Sequence, residues 1–144
     1  MILKVPLTIA TLEAEGFHLF IKGHINKKKV NLLLDTGASK TVFDINRISR
    51  FIRKSKKNYN SFESRSTGLG TNTMESQFTT AKEFRISELV LPDYCVILLN
   101  MAHVNESYAT LGIDPIDGVL GSDILMKYSA MIDYKKKLLK LRIR

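Results

Sequence analysis

Cysteine is nearly absent from this chain of 144 residues. Cys95 is the only one, so no disulfide can form within the chain, and none is expected in a reducing compartment. Its setting, "DYCVILL", suggests a small buried hydrophobe. Long apolar runs are missing too. No stretch approaches the roughly 18 residues that would span a bilayer, and the longest, "YCVILLNMAHV", is interrupted by Asn100 and His103. The start, "MILKVPLTIATLEAEG", alternates and carries Glu13 and Glu15, unlike a secretory leader. The expectation is a cytoplasmic protein with no membrane partner.

Histidine is scarce as well. His18, His24 and His103 share no spacing with Cys95 or with one another that suits zinc. Asp114, Asp117 and Asp123 miss the ligand spacing of a calcium loop and read as turn and cap residues. "GLGTNT" lacks the third glycine of a phosphate-binding loop, and "LGSDI" lacks the first glycine of a nucleophile elbow. No metal and no cofactor are therefore expected.

What is present is the balance of a soluble globule, 44% apolar and 25% charged. The length suits a single domain over 1–144. The formal net charge of +8 raises the question of nucleic acid. The charge gathers in "NKKKV" (26–30), "RISRFIRKSKK" (47–57) and "DYKKKLLKLRIR" (133–144), with no aromatic-interleaved basic motif. The first and third read as lysine-protected hairpin turns and edge strands, the second as the polar face of a helix. No nucleic-acid partner is expected.

Strand patterns dominate. "LKVPLTIA" (3–10) and "FHLFIKGHI" (17–25) alternate, and "NKKK" turns the chain back into "VNLLLD" (30–35). "KTVFD" is a short strand, after which Asp44 suits an N-cap. Ile45, Ile48, Phe51 and Ile52 then predict an amphipathic helix over about 45–55. Residues 54–77 are polar, with the compact centre Thr67-Gly68-Leu69-Gly70-Thr71, and suggest a projecting hairpin. Strands return over 78–100, with Pro92-Asp93 as a turn. A short helix follows over 103–112, then a buried strand, "DGVLG", a helix over "SDILMKY" and a terminal hairpin. "LLLDTGASKTVFD" and "IDGVLGSDILMKY" echo each other as apolar strand, glycine turn and small hydroxyl.

Within this frame "NLLLDTGASKTVF" (31–43) raises the sharpest question. It sets Asp35 directly after leucines ready for burial. A buried carboxylate finds partners, shifts its proton affinity, or does both. Either Asp35 is a turn residue reaching backbone amides, or it is tuned for chemistry.

The ordered combination resembles the aspartic peptidases, specifically their single-lobed, retropepsin-like branch. It comprises the turn at 33–39, the glycine-bearing segment 67–71 and the second apolar-glycine segment Val119-Leu120-Gly121 within "VLGSDIL". The resemblance covers nearly the whole chain. It implies a mostly β, closed-barrel acid-protease fold with one or two short helices. It also implies hydrolysis of extended polypeptides by water held between two aspartates. Since the chain carries one such turn, the likeness implies a homodimer with Asp35 facing its twin. By the same likeness, Thr36 grips its symmetry mate and Gly37 lets the backbone approach the catalytic water. Ala38 and Ser39 complete the turn. Thr67, Gly68, Leu69, Gly70 and Thr71 form a flap over the substrate, a peptide or unfolded protein bound as an added strand. Two-lobed relatives typically carry Ser or Thr where this chain has Ala38, which implies a dyad tuned to milder pH. The chain is also longer than many retroviral members, with extra material expected at 45–58 and 100–112. The rival expectation is a catalytically silent module of the same fold that dimerises or binds peptides.

Overall fold

In a computed structural model, which describes residues 1–12, 16–53, 59–65 and 73–144, strands follow one another in the order β1 (Ile2–Pro6), β2 (Thr8–Leu12), β3 (Gly16–Ile25), β4 (Lys28–Leu34), β5 (Val42–Asp44), β6 (Tyr59–Arg65), β7 (Thr73–Ile86) and β8 (Leu89–Leu99). Helix α1 (Ala102–Thr110), β9 (Gly118–Leu120), α2 (Ser122–Lys127), β10 (Met131–Asp133) and β11 (Leu138–Arg142) complete the chain. Eight strands form one sheet, ordered β2-β3-β4-β9-β5-β8-β7-β6, and β3 also pairs with β7. That pairing closes β3, β4, β9, β5, β8 and β7 into a six-stranded barrel. β1, β11 and β10 form a separate three-stranded sheet.

The alternation read from the sequence sets the barrel interior. Val30, Leu32 and Leu34 of β4 point inward and are buried against Ile21, Ile25, Phe43, Phe84, Val96, Leu98 and Leu120. The opposite face of the same strands is covered too. Phe20 joins Met101, Tyr108 and Ile116 in a second apolar cluster beneath α1, with Leu33 against it. Strand β4 is thus apolar on both faces, which is why its sequence reads as nearly continuous leucine.

The chain order conceals the central feature. β4 and β5 are joined by the 35–41 turn, yet they do not pair. β9 lies between them, parallel to β4 (Leu32↔Gly118, Leu34↔Leu120) and antiparallel to β5 (Val42↔Val119). The two segments that echo each other in sequence are therefore lateral neighbours. Gly118 makes the insertion possible, since a Cβ there would come within 2.6 Å of the Val42 carbonyl oxygen.

Several sequence expectations need correction. Over 45–53, the described part of the helix expected at 45–55, no α-helix forms. Residues 45–52 form turns with a single 3-10 turn, Ile48–Arg50. Ile48 and Ile52 are still buried, so the i, i+4 apolar spacing reflects packing without a helix. "LKVPLTIA" is split at Leu7 between the two sheets. Pro92-Asp93 lies inside β8, where Asp93 takes a left-handed φ of 49°, and the chain reverses at Ser87 (φ 53°) instead. Cys95 is exposed, because the inward positions of β8 are Val96 and Leu98. Among the described residues no helix is long and apolar enough to cross a membrane.

Candidate active site

The turn after β4 is fixed by its neighbours. The Asp35 amide donates to the Leu120 carbonyl of β9 (3.1 Å), and the Ala38 amide donates to the Asp35 carbonyl (3.2 Å). The Ser122 amide, at the start of α2, donates to the Ala38 carbonyl (2.7 Å). Gly121 sits where the two segments touch. A Cβ there would lie 2.6 Å from the Lys40 carbonyl oxygen and 2.8 Å from that of Ala38. Only glycine allows that approach without displacing the turn.

A second brace lies behind the turn. The Asp123 carboxylate accepts from the Thr41 amide (3.0 Å) and from the Thr41 hydroxyl (2.7 Å). The Thr41 hydroxyl oxygen in turn accepts from the Gly121 amide (3.0 Å). Thr41 is 1% exposed, so its amide and hydroxyl have no water to replace a lost partner. Tyr94 stands beside them. Burial, with the charge of Asp123 adding to it, pushes its phenol well above the ordinary value, while a hydrogen bond with Thr41 opposes the rise.

The Asp35 side chain is much less encumbered. Its Oδ1 accepts from the Gly37 amide (2.9 Å), an Asx-type turn, and the residue is exposed in the single chain, as are Thr36, Gly37 and Ser39. Ala38 is half-buried. A cavity of about 260 Å³ opens beside the carboxylate, lined among others by Phe17, His18, Leu34, Thr36, Ile132 and Tyr134. Phe17 and Tyr134 leave 59% and 61% of their surface open to solvent. Below lies a polar pair that the sequence did not announce, with His18 Nδ1 and the Tyr108 hydroxyl 2.7 Å apart. Tyr108 is buried, and its phenol is held above the ordinary value by that burial and by the nearby charge of Asp35.

The structure thus brings Asp35, Thr36, Gly37, Ala38 and Ser39 against Val119, Leu120 and Gly121. Thr67, Gly68, Leu69, Gly70 and Thr71 lie outside the described residues; the strands that precede and follow them, β6 and β7, pair antiparallel (Arg65↔Thr73). Asp117 and Asp123 are more than turn and cap residues. Asp117 is buried, pairs with Arg47 Nε (2.7 Å) and accepts from the Asn31 amide (2.7 Å). Asp44 caps no helix. It is a buried hub that accepts from the Asn46 amide and side chain, the Met101 amide and Asn105 Nδ2. His18 was within reach of sequence reasoning, because the hairpin register Leu19↔Leu34 sets it opposite Asp35. Tyr108, 90 residues beyond His18, has no local signal. Among the described residues, no cluster of three or more His, Cys, Asp or Glu side chains is arranged to hold a metal ion.

This arrangement has counterparts among known proteins. No curated protein matches the chain in sequence. Solved structures that share its fold include two from different organisms. A retropepsin-like aspartic protease from Rickettsia conorii is 20% identical with a TM-score of 0.57, the match covering 98% of this chain and 92% of that one. The retroviral protease-like domain of Ddi1 from Leishmania major is 15% identical with a TM-score of 0.51, covering 85% and 86%. The family model described as "Aspartyl protease" matches residues 21–124, a span that runs from within β3 through the Asp35 turn into α2. The chain belongs to the aspartyl protease family.

Proposed function

We propose that this protein is an aspartic endopeptidase, active as a homodimer in which Asp35 of each copy faces the other across a twofold axis. The observation that carries the reading is the intact Asp35-Thr36-Gly37 turn. Its backbone is pinned to β9 and α2, while its carboxylate stays exposed and accepts one amide hydrogen bond. A carboxylate with lone pairs to spare on a rigid turn is suited to chemistry. A structural carboxylate is usually saturated. The exposed apolar rings of Phe17 and Tyr134 beside it favour a covering partner.

Chemistry at such a site needs two carboxylates ~3 Å apart, which share one proton because like charges so close cannot both ionise. The ionised member takes a proton from the water held between them. The resulting hydroxide equivalent attacks the scissile carbonyl, and the protonated member hydrogen-bonds the oxygen that gains charge. Collapse of the tetrahedral species breaks the C–N bond, and a proton passes to the leaving nitrogen. No acyl-enzyme forms. In this reading Thr36 binds its twin across the axis and Gly37 lets the backbone approach the water. Residues 67–71 close over a substrate strand whose alternate side chains enter apolar pockets. A single exposed thiol suits action in a reducing cytoplasm.

The test is cleavage of an unfolded protein mixture by wild type and Asp35→Asn, with the oligomeric state of both measured at the assay concentration. Cleavage by wild type alone supports the reading. Dimers of wild type that bind peptide yet cut nothing would favour the silent module instead.

A further inference from the structure

The His18–Tyr108 pair is not needed to build the Asp35 turn, yet it stands at its edge. The hairpin register puts His18 across from Asp35, and its side chain lines the cavity that Asp35 and Thr36 also line. Tyr108 reaches it from α1 beneath, edge-on at 5.7 Å between ring centres, and packs on its other side against Phe20. Of the elements packed round His18, β4 ends in Asp35, α1 brings the Tyr108 phenol, and the segment after β10 brings Tyr134. β2 places uncharged Ala10 opposite it. Otherwise the cavity wall is apolar, with Phe17, Leu19, Leu33, Leu34 and Ile132.

In one of the two neutral tautomers that fit this contact, the pair leaves an imidazole proton available. The Tyr108 phenol keeps its proton at neutral pH and can donate to Nδ1, which leaves the imidazole N–H on Nε2. When the ring is protonated, Nδ1–H donates to the phenol oxygen instead and Nε2–H remains a donor. In both of these arrangements the pair holds the ring while one N–H stays free of it.

We infer that His18, positioned by Tyr108, is a specificity residue of the Asp35 site, offering a hydrogen-bond donor to the substrate side chain lodged beside the scissile bond. It therefore selects a side chain bearing an acceptor, Glu or Gln, over a purely apolar one. A donor left unpaired in an apolar cavity disfavours leucine there. The inference rests on the peptidase reading for its substrate, and its test separates the two.

Three extended peptides differing only in Glu, Gln or Leu at the residue flanking the cut would be compared with wild type, His18→Gln, His18→Leu and Tyr108→Phe. For wild type, kcat/KM for the Glu peptide should exceed that for the Leu peptide by about tenfold, the size expected of one charge-assisted hydrogen bond. His18→Gln should keep a preference for Glu and Gln over Leu. His18→Leu should lose it, and Tyr108→Phe should narrow the selectivity several-fold. Ratios unchanged in His18→Leu would overturn the inference while leaving the peptidase reading intact. The same peptides, fluorescently labelled, would be titrated onto Asp35→Asn protein. His18-dependent preference for Glu there, with no cleavage by wild type, would keep the selector and reject the peptidase. Absence of binding and of cleavage would overturn both.

Discussion

Asp35 and Asp44 stand at the ends of two strands that flank the same neighbour, β9, and they have opposite fates. Asp44 is 2% exposed and accepts from four donors, the Asn46 amide and side chain, the Met101 amide and Asn105 Nδ2. It ties the 45–52 turns to the start of α1. Asp35 is exposed, and the Gly37 amide is the donor that reaches its side chain. Its backbone is held as firmly as that of Asp44. The difference is in the side chains: one carboxylate is spent on architecture and the other is kept available. Carboxylates of similar sequence setting are thus distinguished by how many of their lone pairs the fold consumes.

The largest expected effect on stability follows directly. Asp44→Ala should lower unfolding free energy by about 3 kcal/mol in urea titration, because it strands buried donors. Asp35→Ala should change it by only about 0.5 kcal/mol, as for an exposed turn residue. Equal losses at the two sites would dissolve the contrast. Next in size, Gly121→Ala should cost about 1–3 kcal/mol, since its Cβ must push the 38–40 backbone away from β9. In a cleavage assay it should lose activity out of proportion to that cost, because the displaced backbone carries the Asp35 turn. Thr41→Val removes the hydroxyl shared by Asp123 and Gly121 and should cost roughly 1–2 kcal/mol. Retention of wild-type stability there would mean that the brace behind the turn is not structural.

The smallest effect lies at alkaline pH. The folded protein holds the Tyr94 proton more tightly than the unfolded chain does, chiefly through burial. Its contribution is therefore fully present below the ordinary phenol range near 10 and is lost as pH rises above it. Thermal melts from pH 8 to 11 should show wild type declining more steeply than Tyr94→Phe. Parallel curves would contradict that assignment.

Much of this was legible in the sequence, for a physical reason. β4, the Asp35 turn, β9 and α2 are local patterns, namely apolar runs ended by glycine and a small hydroxyl. Each forms where its own residues indicate. The helix expected over 45–55 shows the limit, because Ile48 and Ile52 satisfy helical spacing while packing around a 3-10 turn whose C-terminal end is anchored by the distant Asn26 side chain. Cys95 was misplaced for a similar reason, since a run of apolar residues does not reveal which alternate positions face inward. Long-range partners were the least accessible. Nothing near Thr41 names Asp123, and nothing near His18 names Tyr108. The exception is the hairpin, where counting back from its turn sets His18 opposite Asp35.

Whether the free Asp35 carboxylate serves catalysis is decided by cleavage itself. Wild type and Asp35→Asn would be incubated side by side with an unfolded protein mixture from about pH 4 to 7, at concentrations where both are shown to be dimeric. Defined cleavage by wild type is expected, with a loss on the order of 10³-fold in the variant, the scale of removing a positioned general base. Equal cleavage by the two folded dimers would contradict a catalytic Asp35.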